Sequence, residues 1–100
     1  MQSGEFAPVT PGEILKEEFL AGYDLSQSAL ERAVGISPNR INEIINNRRR
    51  ITADTALRLA LYFGNSPEFW MNLQANYDLK IAHRNLPPEE ADRIKARRAA

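Results

Sequence analysis

Apolar residues return every three or four positions along most of the chain, the spacing of one buried face of an α-helix. Leu15 and Phe19, with Ile14 and Leu20 beside them, make a first block. Leu30, Ala33 and Val34 make a second, and Ile41, Ile44 and Ile45 a third. Leu57, Ala60 and Leu61, flanked by Ala56 and Phe63, make a fourth; Trp70, Leu73, Tyr77 and Ile81 make a fifth. Punctuation between the blocks agrees with this division. Thr10-Pro11-Gly12-Glu13 has the form of a capping box with proline at the first helical position. Ser37-Pro38 and Ser66-Pro67 repeat the cap-then-proline signal, and the hydroxyls of Ser26 and Thr52 suit free amides of a first turn. Gly35 and Gly64 stand where helices would stop in a left-handed residue.

The pattern predicts helices over about 11–22, 27–34, 38–46, 53–63 and 67–84, with ends good to two to four residues. A sixth short helix, from Pro88 to about Arg98, is compatible with the Leu86-Pro87-Pro88 break. No alternating apolar and polar run argues for a strand, so the fold class is all-α. Residues 1–9 read as a flexible arm, 10–84 as one helical domain, and 85–100 as a tail or short helix.

Composition narrows the chemistry. One hundred residues, 43% hydrophobic and 26% charged, suit one ordinary globular domain and are too few for a barrel or a two-domain nucleotide enzyme. With no cysteine and a lone histidine, His83, there is no thiolate nucleophile, disulfide framework or recognisable metal set. No triad and no glycine-rich phosphate loop appears, which points away from an enzyme and from a cofactor. No apolar stretch approaches the roughly 20 residues that span a bilayer, and the first residues lack a secretory signal. The expectation is a cytoplasmic protein with no membrane partner.

Charge adds more. Thirteen basic and thirteen acidic residues cancel overall, but residues 1–24 hold one lysine against five acids, and residues 25–50 hold five arginines against two. An acidic front and a basic middle can serve two different partners. The basic stretch, LSQSALERAVGISPNRINEIINNRRR, places two short helical blocks around Val34-Gly35-Ile36-Ser37. Gly35 permits the tight turn and Ile36 plugs the angle, which is the spacing of a helix-turn-helix. With Ile41, Ile44 and Ile45 inward, Asn39, Asn42, Glu43 and Asn46 face outward and Arg40 lies to one side. Asparagine is a mediocre helix former, but its amide pairs bidentately with adenine; arginine suits guanine, and glutamate accepts from cytosine. Asn39, Arg40, Asn42 and Glu43 are therefore the candidate base readers. Arg48, Arg49 and Arg50 follow at once, suited to phosphates, although three consecutive arginines cannot share one face. Gln27 and Ser37, at the two helix starts, suit phosphates as well.

These residues resemble the Xre/Cro-type helix-turn-helix repressors, and the flanks narrow the likeness. Thr10-Pro11-Gly12-Glu13-Ile14-Leu15, the run Ile51-Thr52-Ala53-Asp54-Thr55-Ala56-Leu57-Arg58-Leu59-Ala60, and Ser66-Pro67-Glu68-Phe69-Trp70-Met71-Asn72-Leu73-Gln74 with Tyr77-Asp78-Leu79 are similar to HigA-type (VapI-like) antitoxins. The likeness covers about residues 8–82. It implies a five-helix, lambda-repressor-like domain that dimerises and binds a palindromic operator in its own promoter. It also implies neutralisation of a HigB-type toxin, a ribonuclease that cuts mRNA on the ribosome. By motif position, Gln27, Ser37, Asn46, Arg48, Arg49 and Arg50 would hold phosphates of double-stranded DNA, and Asn39, Arg40, Asn42 and Glu43 would face bases. Two residues depart from the pattern: Glu31 stands at a usual alanine, and Asn47 at a usual glycine, where asparagine still tolerates a left-handed turn.

Three expectations concern surfaces. Trp70, Phe69 and Tyr77 are most simply core residues of the fifth helix; because aromatics are enriched at interfaces, Trp70, Leu73 and Tyr77 are also the candidates for a homodimer contact. Glu13, Glu17, Glu18 and Asp24 would meet the basic surface an RNA-cutting toxin needs. The ending RIKARRAA reads equally as a loose helix or an extra DNA contact. Two alternatives stand beside the antitoxin reading: a free-standing Xre-family regulator without a toxin, and a helical adaptor that binds only protein.

Overall fold

The computed structural model describes residues 8–99, and these form helices and turns with no strand among them. Residues 1–7 of the expected arm lie outside the described residues. The first helix, α1, spans Pro11–Ile14 and runs on as a π-helical segment, Leu15–Leu20. Then follow α2 (Gln27–Val34), α3 (Pro38–Ile45), α4 (Ala53–Phe63), α5 (Pro67–Asn85) and α6 (Pro88–Ala96). None of these is long and apolar enough to cross a membrane.

Local chemistry explains most of the boundaries. The Thr10 hydroxyl accepts from the Glu13 amide at 3.0 Å, and the Glu13 carboxylate accepts from the Thr10 amide at 2.9 Å, closing the capping box. Ser26 caps α2 through the Ala29 amide and Ser66 caps α5 through Phe69. Ser37 and Thr52 make no side-chain cap bond. Gly35 and Gly64 end α2 and α4 at φ 72° and 75°.

The first helix keeps its expected span of about 11–22 to within two residues, but its winding changes partway. It ends at Leu20, and a turn through Asp24 at φ 50° leads to α2. Its π segment is closed by the Ala21 amide donating to the Lys16 carbonyl, five residues back. The wide turn puts Leu15 and Leu20, five apart, on one face, and both are buried. An ordinary helical step would carry Leu20 off that face.

The fourth apolar block also needs correction. Thr55, Ala56, Leu59 and Ala60 face inward on α4, while Leu57 and Leu61 are exposed. Both sets have helical spacing in a helix apolar nearly all round, so periodicity alone could not choose between them. Packing against α5 decides it. Phe19 meets Trp70 and Phe63 at ring centroid distances of 4.7 and 4.8 Å, and Phe63 meets Trp70 at 5.9 Å. This aromatic knot joins the π segment to α4 and α5. Leu15, Leu30, Ile36, Ile41, Ile44, Ile51, Ala56 and Leu59 complete the core beneath α3.

Candidate nucleic-acid interface

The eight residues of α3 split cleanly by face. Ile41 and Ile44 are fully buried, Ile45 is half-buried, and Ile36 fills the corner between α2 and α3. Asn39, Asn42 and Asn46 are exposed on the outer side. Glu31 does not open the motif: its carbonyl accepts from the Gly35 and Ile36 amides at 2.9 and 3.1 Å, and Leu30 beside it is fully buried.

The C-terminal end of α3 is seated by Gly12. A Cβ there would lie 2.0 Å from the Ile44 carbonyl oxygen and 2.8 Å from the Ile45 Cα. Only glycine lets the first turn of α1 come this close to the backbone of α3. The flank of α3 is held by a chain of ion pairs. Asp54 Oδ2 accepts from Arg40 Nη1 and from Arg58 Nε, each at 3.1 Å. Arg58 Nη1 donates onward to the Val34 carbonyl at 2.9 Å, where the last carbonyls of α2 need donors. Arg40 Nη1 also lies 3.5 Å from the buried Thr55 hydroxyl.

After α3 the chain turns through Asn47 at φ 59°, the left-handed residue its position required. The Arg48 amide donates to the Glu43 carbonyl at 2.7 Å, and Asn47 Nδ2 donates to the Tyr77 hydroxyl at 2.9 Å. Fully buried Ile51 anchors the far end of the loop, its amide donating to Gln74 Oε1 at 2.8 Å. Gln74 in turn donates to Asp78 at 3.1 Å. Asp78 binds Arg50 Nη1 at 2.5 Å through its other oxygen. Thus α5 holds the arginine loop through Gln74, Tyr77 and Asp78.

The expected site residues of α3 and the loop after it lie together, with differences in detail. Ser37, Asn39 and Asn42 line the open side of α3, and Ser37 keeps its hydroxyl free of a cap bond. Asn46 closes the helix, its Nδ2 donating to the Asn42 carbonyl at 2.9 Å. Gln27 is half-buried at the start of α2. Arg40, expected to one side of the ridge, is held on the flank by Asp54. Glu43 is engaged by Arg49 Nε at 2.7 Å. The three loop arginines diverge: Arg49 folds back to α3, Arg50 reaches α5, and Arg48 is exposed.

The expected dimer contact needs a correction at Trp70. Its ring is fully buried and its Nε1 donates to Asn65 Oδ1 at 2.8 Å, so it has no surface to offer a second copy. Leu73 packs against the same core, and Tyr77 is half-buried with its hydroxyl taken by Asn47. Of the acidic candidates, Glu13 is exposed but committed to the capping box, and Glu17, Glu18 and Asp24 are exposed.

Sequence reasoning missed five structural contributors: Gly12 as a close approach, and Asp54, Arg58, Gln74 and Asp78 as braces. The four-residue spacing of Asp54 with Arg58, and of Gln74 with Asp78, was the available signal.

Comparison with known proteins agrees with this geometry. A helix-turn-helix family model matches residues 15–70. Virulence-associated protein I of Dichelobacter nodosus is 52% identical over 81 residues, covering 81% of this chain and 75% of that one. The antitoxin HigA-1 of Vibrio cholerae is 40% identical over 95 residues, covering 95% of this chain and 89% of that one. A Pseudomonas aeruginosa protein solved with its 18-bp operator DNA superposes with a TM-score of 0.83 at 44% identity, over 87% of this chain and 94% of that one. The chain belongs to the helix-turn-helix family, in the Xre-type branch that includes the HigA antitoxins and the VapI-like proteins.

Proposed function

We propose that this protein is a DNA-binding antitoxin that represses its own operon. Its α3 enters the major groove of a palindromic operator, and its acidic surface meets a HigB-type toxin that cleaves mRNA. One observation carries the DNA reading: a ridge of exposed asparagines on α3, backed by buried isoleucines and followed by an arginine loop, in a chain similar to a protein solved on operator DNA. Asn39 and Asn42 are the direct base readers, with Glu43 joining once Arg49 leaves it for a phosphate. Ser37, Gln27, Asn46, Arg48, Arg49 and Arg50 contact the backbone. A homodimer places two copies of α3 about 34 Å apart, in successive major grooves. Its α5 contact falls to exposed side chains of that helix and not to Trp70. Glu17, Glu18 and Asp24 are the free carboxylates for a basic toxin.

The test is co-expression with the adjacent gene product, followed by co-purification and footprinting of the shared promoter. A stable complex and a symmetric footprint are expected. Salt-independent retention of the partner with no footprint would favour the adaptor reading, and a footprint with no partner would favour a free-standing regulator.

A further inference from the structure

Three arginines of the interface each face a carboxylate of the same chain. Arg40 faces Asp54, Arg49 faces Glu43, and Arg50 faces Asp78. The first pair differs from the others in its consequence, because Arg40 is the only cation on α3. A free arginine there would reach backbone phosphates on any duplex, adding affinity that carries no sequence information.

Asp54 is built to prevent that. It sits in the first turn of α4, where the helix dipole favours a carboxylate. Arg58 binds the same oxygen that receives Arg40, and Arg58 is itself fixed on the Val34 carbonyl. The carboxylate is thus held in place independently of Arg40. Arg40 also lies against the buried Thr55 hydroxyl, which gives the withdrawn position a defined geometry.

We propose that Asp54 is a specificity-determining residue for DNA binding, acting by withholding Arg40 from phosphates. The assignment rests on the DNA reading above. On random sequence, where binding is almost wholly electrostatic, the withheld charge lowers affinity. On a matched site, Asn39 and Asn42 fix α3 in the groove and Arg40 stays at its flank, so little is lost. Asp54 is a positioning residue and touches no base in this scheme.

The experiment compares two probes: a mixed-sequence duplex, and the duplex that the wild-type chain enriches from a random library. Fluorescence anisotropy across a salt series reads both. Asp54→Asn should tighten binding to the mixed duplex about three- to ten-fold and steepen its logarithmic salt slope by about 0.9. Binding to the enriched duplex should change less than about two-fold, so the specificity ratio falls. Asp54→Glu should keep the wild-type ratio. In an Arg40→Ala background, Asp54→Asn should no longer tighten mixed-duplex binding, which separates withholding from a general loss of negative charge.

A gain that persists without Arg40 overturns the proposal, as does an unchanged ratio. Equal weakening on both probes with a lowered melting temperature overturns it too, by making Asp54 only a brace. If the wild type enriches no duplex and shows no salt-dependent binding, the DNA reading itself has failed.

Discussion

Replacing Gly12 with alanine tests the packing that seats the DNA-facing helix. Two effects oppose each other. Alanine is favoured over glycine inside a helix by about 0.5–1 kcal/mol. Against this, the new methyl would sit 2.0 Å from the Ile44 carbonyl oxygen and 2.8 Å from the Ile45 Cα and carbonyl oxygen, where ordinary contact begins near 3.4 Å. All three obstacles are backbone atoms, so no side-chain rotation relieves them. The first turn of α1 must move by more than an ångström, or α3 must. Overpacking typically costs about 1–3 kcal/mol and occasionally more, and a backbone clash this close belongs at the upper end. The net expectation is a loss of about 2 kcal/mol or more, which lowers the melting temperature by about 8–16 °C for a domain this size. Thermal melts followed by far-UV circular dichroism measure it. Gly64→Ala is the matched control, because among the described residues no atom beyond its chain neighbours lies within 4 Å of its would-be Cβ and its cost is only that of a left-handed alanine, about 1–2 kcal/mol. A Gly12→Ala protein as stable as the wild type, or more stable than Gly64→Ala, would refute the close approach of α1 to α3.

Three further outcomes are expected. Asn39→Ala should cost about 1–3 kcal/mol on an enriched duplex and little on random DNA, whereas Arg48→Ala should weaken both alike and flatten the salt slope by about 0.9. Anisotropy on the two duplexes distinguishes a base reader from a phosphate holder, and similar behaviour of the two variants would remove that distinction. Gln74→Ala leaves the buried Ile51 amide without its acceptor, so stability should fall by about 1–3 kcal/mol and exchange of the Ile51 amide hydrogen should quicken. Trp70→Ala should cost about 3–5 kcal/mol of stability while leaving the oligomeric state of the folded protein, read by light scattering, unchanged. Dissociation of folded protein by that variant would return the ring to an intersubunit role.

What the sequence disclosed and what it hid follow one physical line. Caps and stops depend on a residue and its near neighbours, so Thr10, Ser26, Gly35 and Ser66 were readable one at a time, whereas the turn at Asn47 was legible only through the family resemblance. The inward isoleucines of α3 were readable too, because their opposite face is wholly polar. The inward side of α4 was not, since Leu57 and Leu61 compete with Ala56 and Leu59 and only distant partners decide between them. The core reading of Trp70 holds, and its interface reading stayed open because sequence cannot tell a ring enclosed by Phe19, Phe63 and Phe69 from one left outside. Directions of long charged side chains were equally hidden. Helical angle puts Arg40 beside the asparagines, but Asp54, fourteen residues on, decides where its guanidinium goes.

The brevity of α3 has a consequence for how the molecule meets a duplex. Eight residues are too few for a helix to persist alone in water. A synthetic peptide of this segment would be a fluctuating coil and would have to order itself on the nucleic acid. In the intact chain that ordering is finished before encounter, because neighbouring elements clamp both ends and one flank. Affinity is then not spent on freezing backbone torsions. On the proposed reading, the asparagine amides act as a rigid stencil owned by the whole domain and not transferable with the segment that displays it.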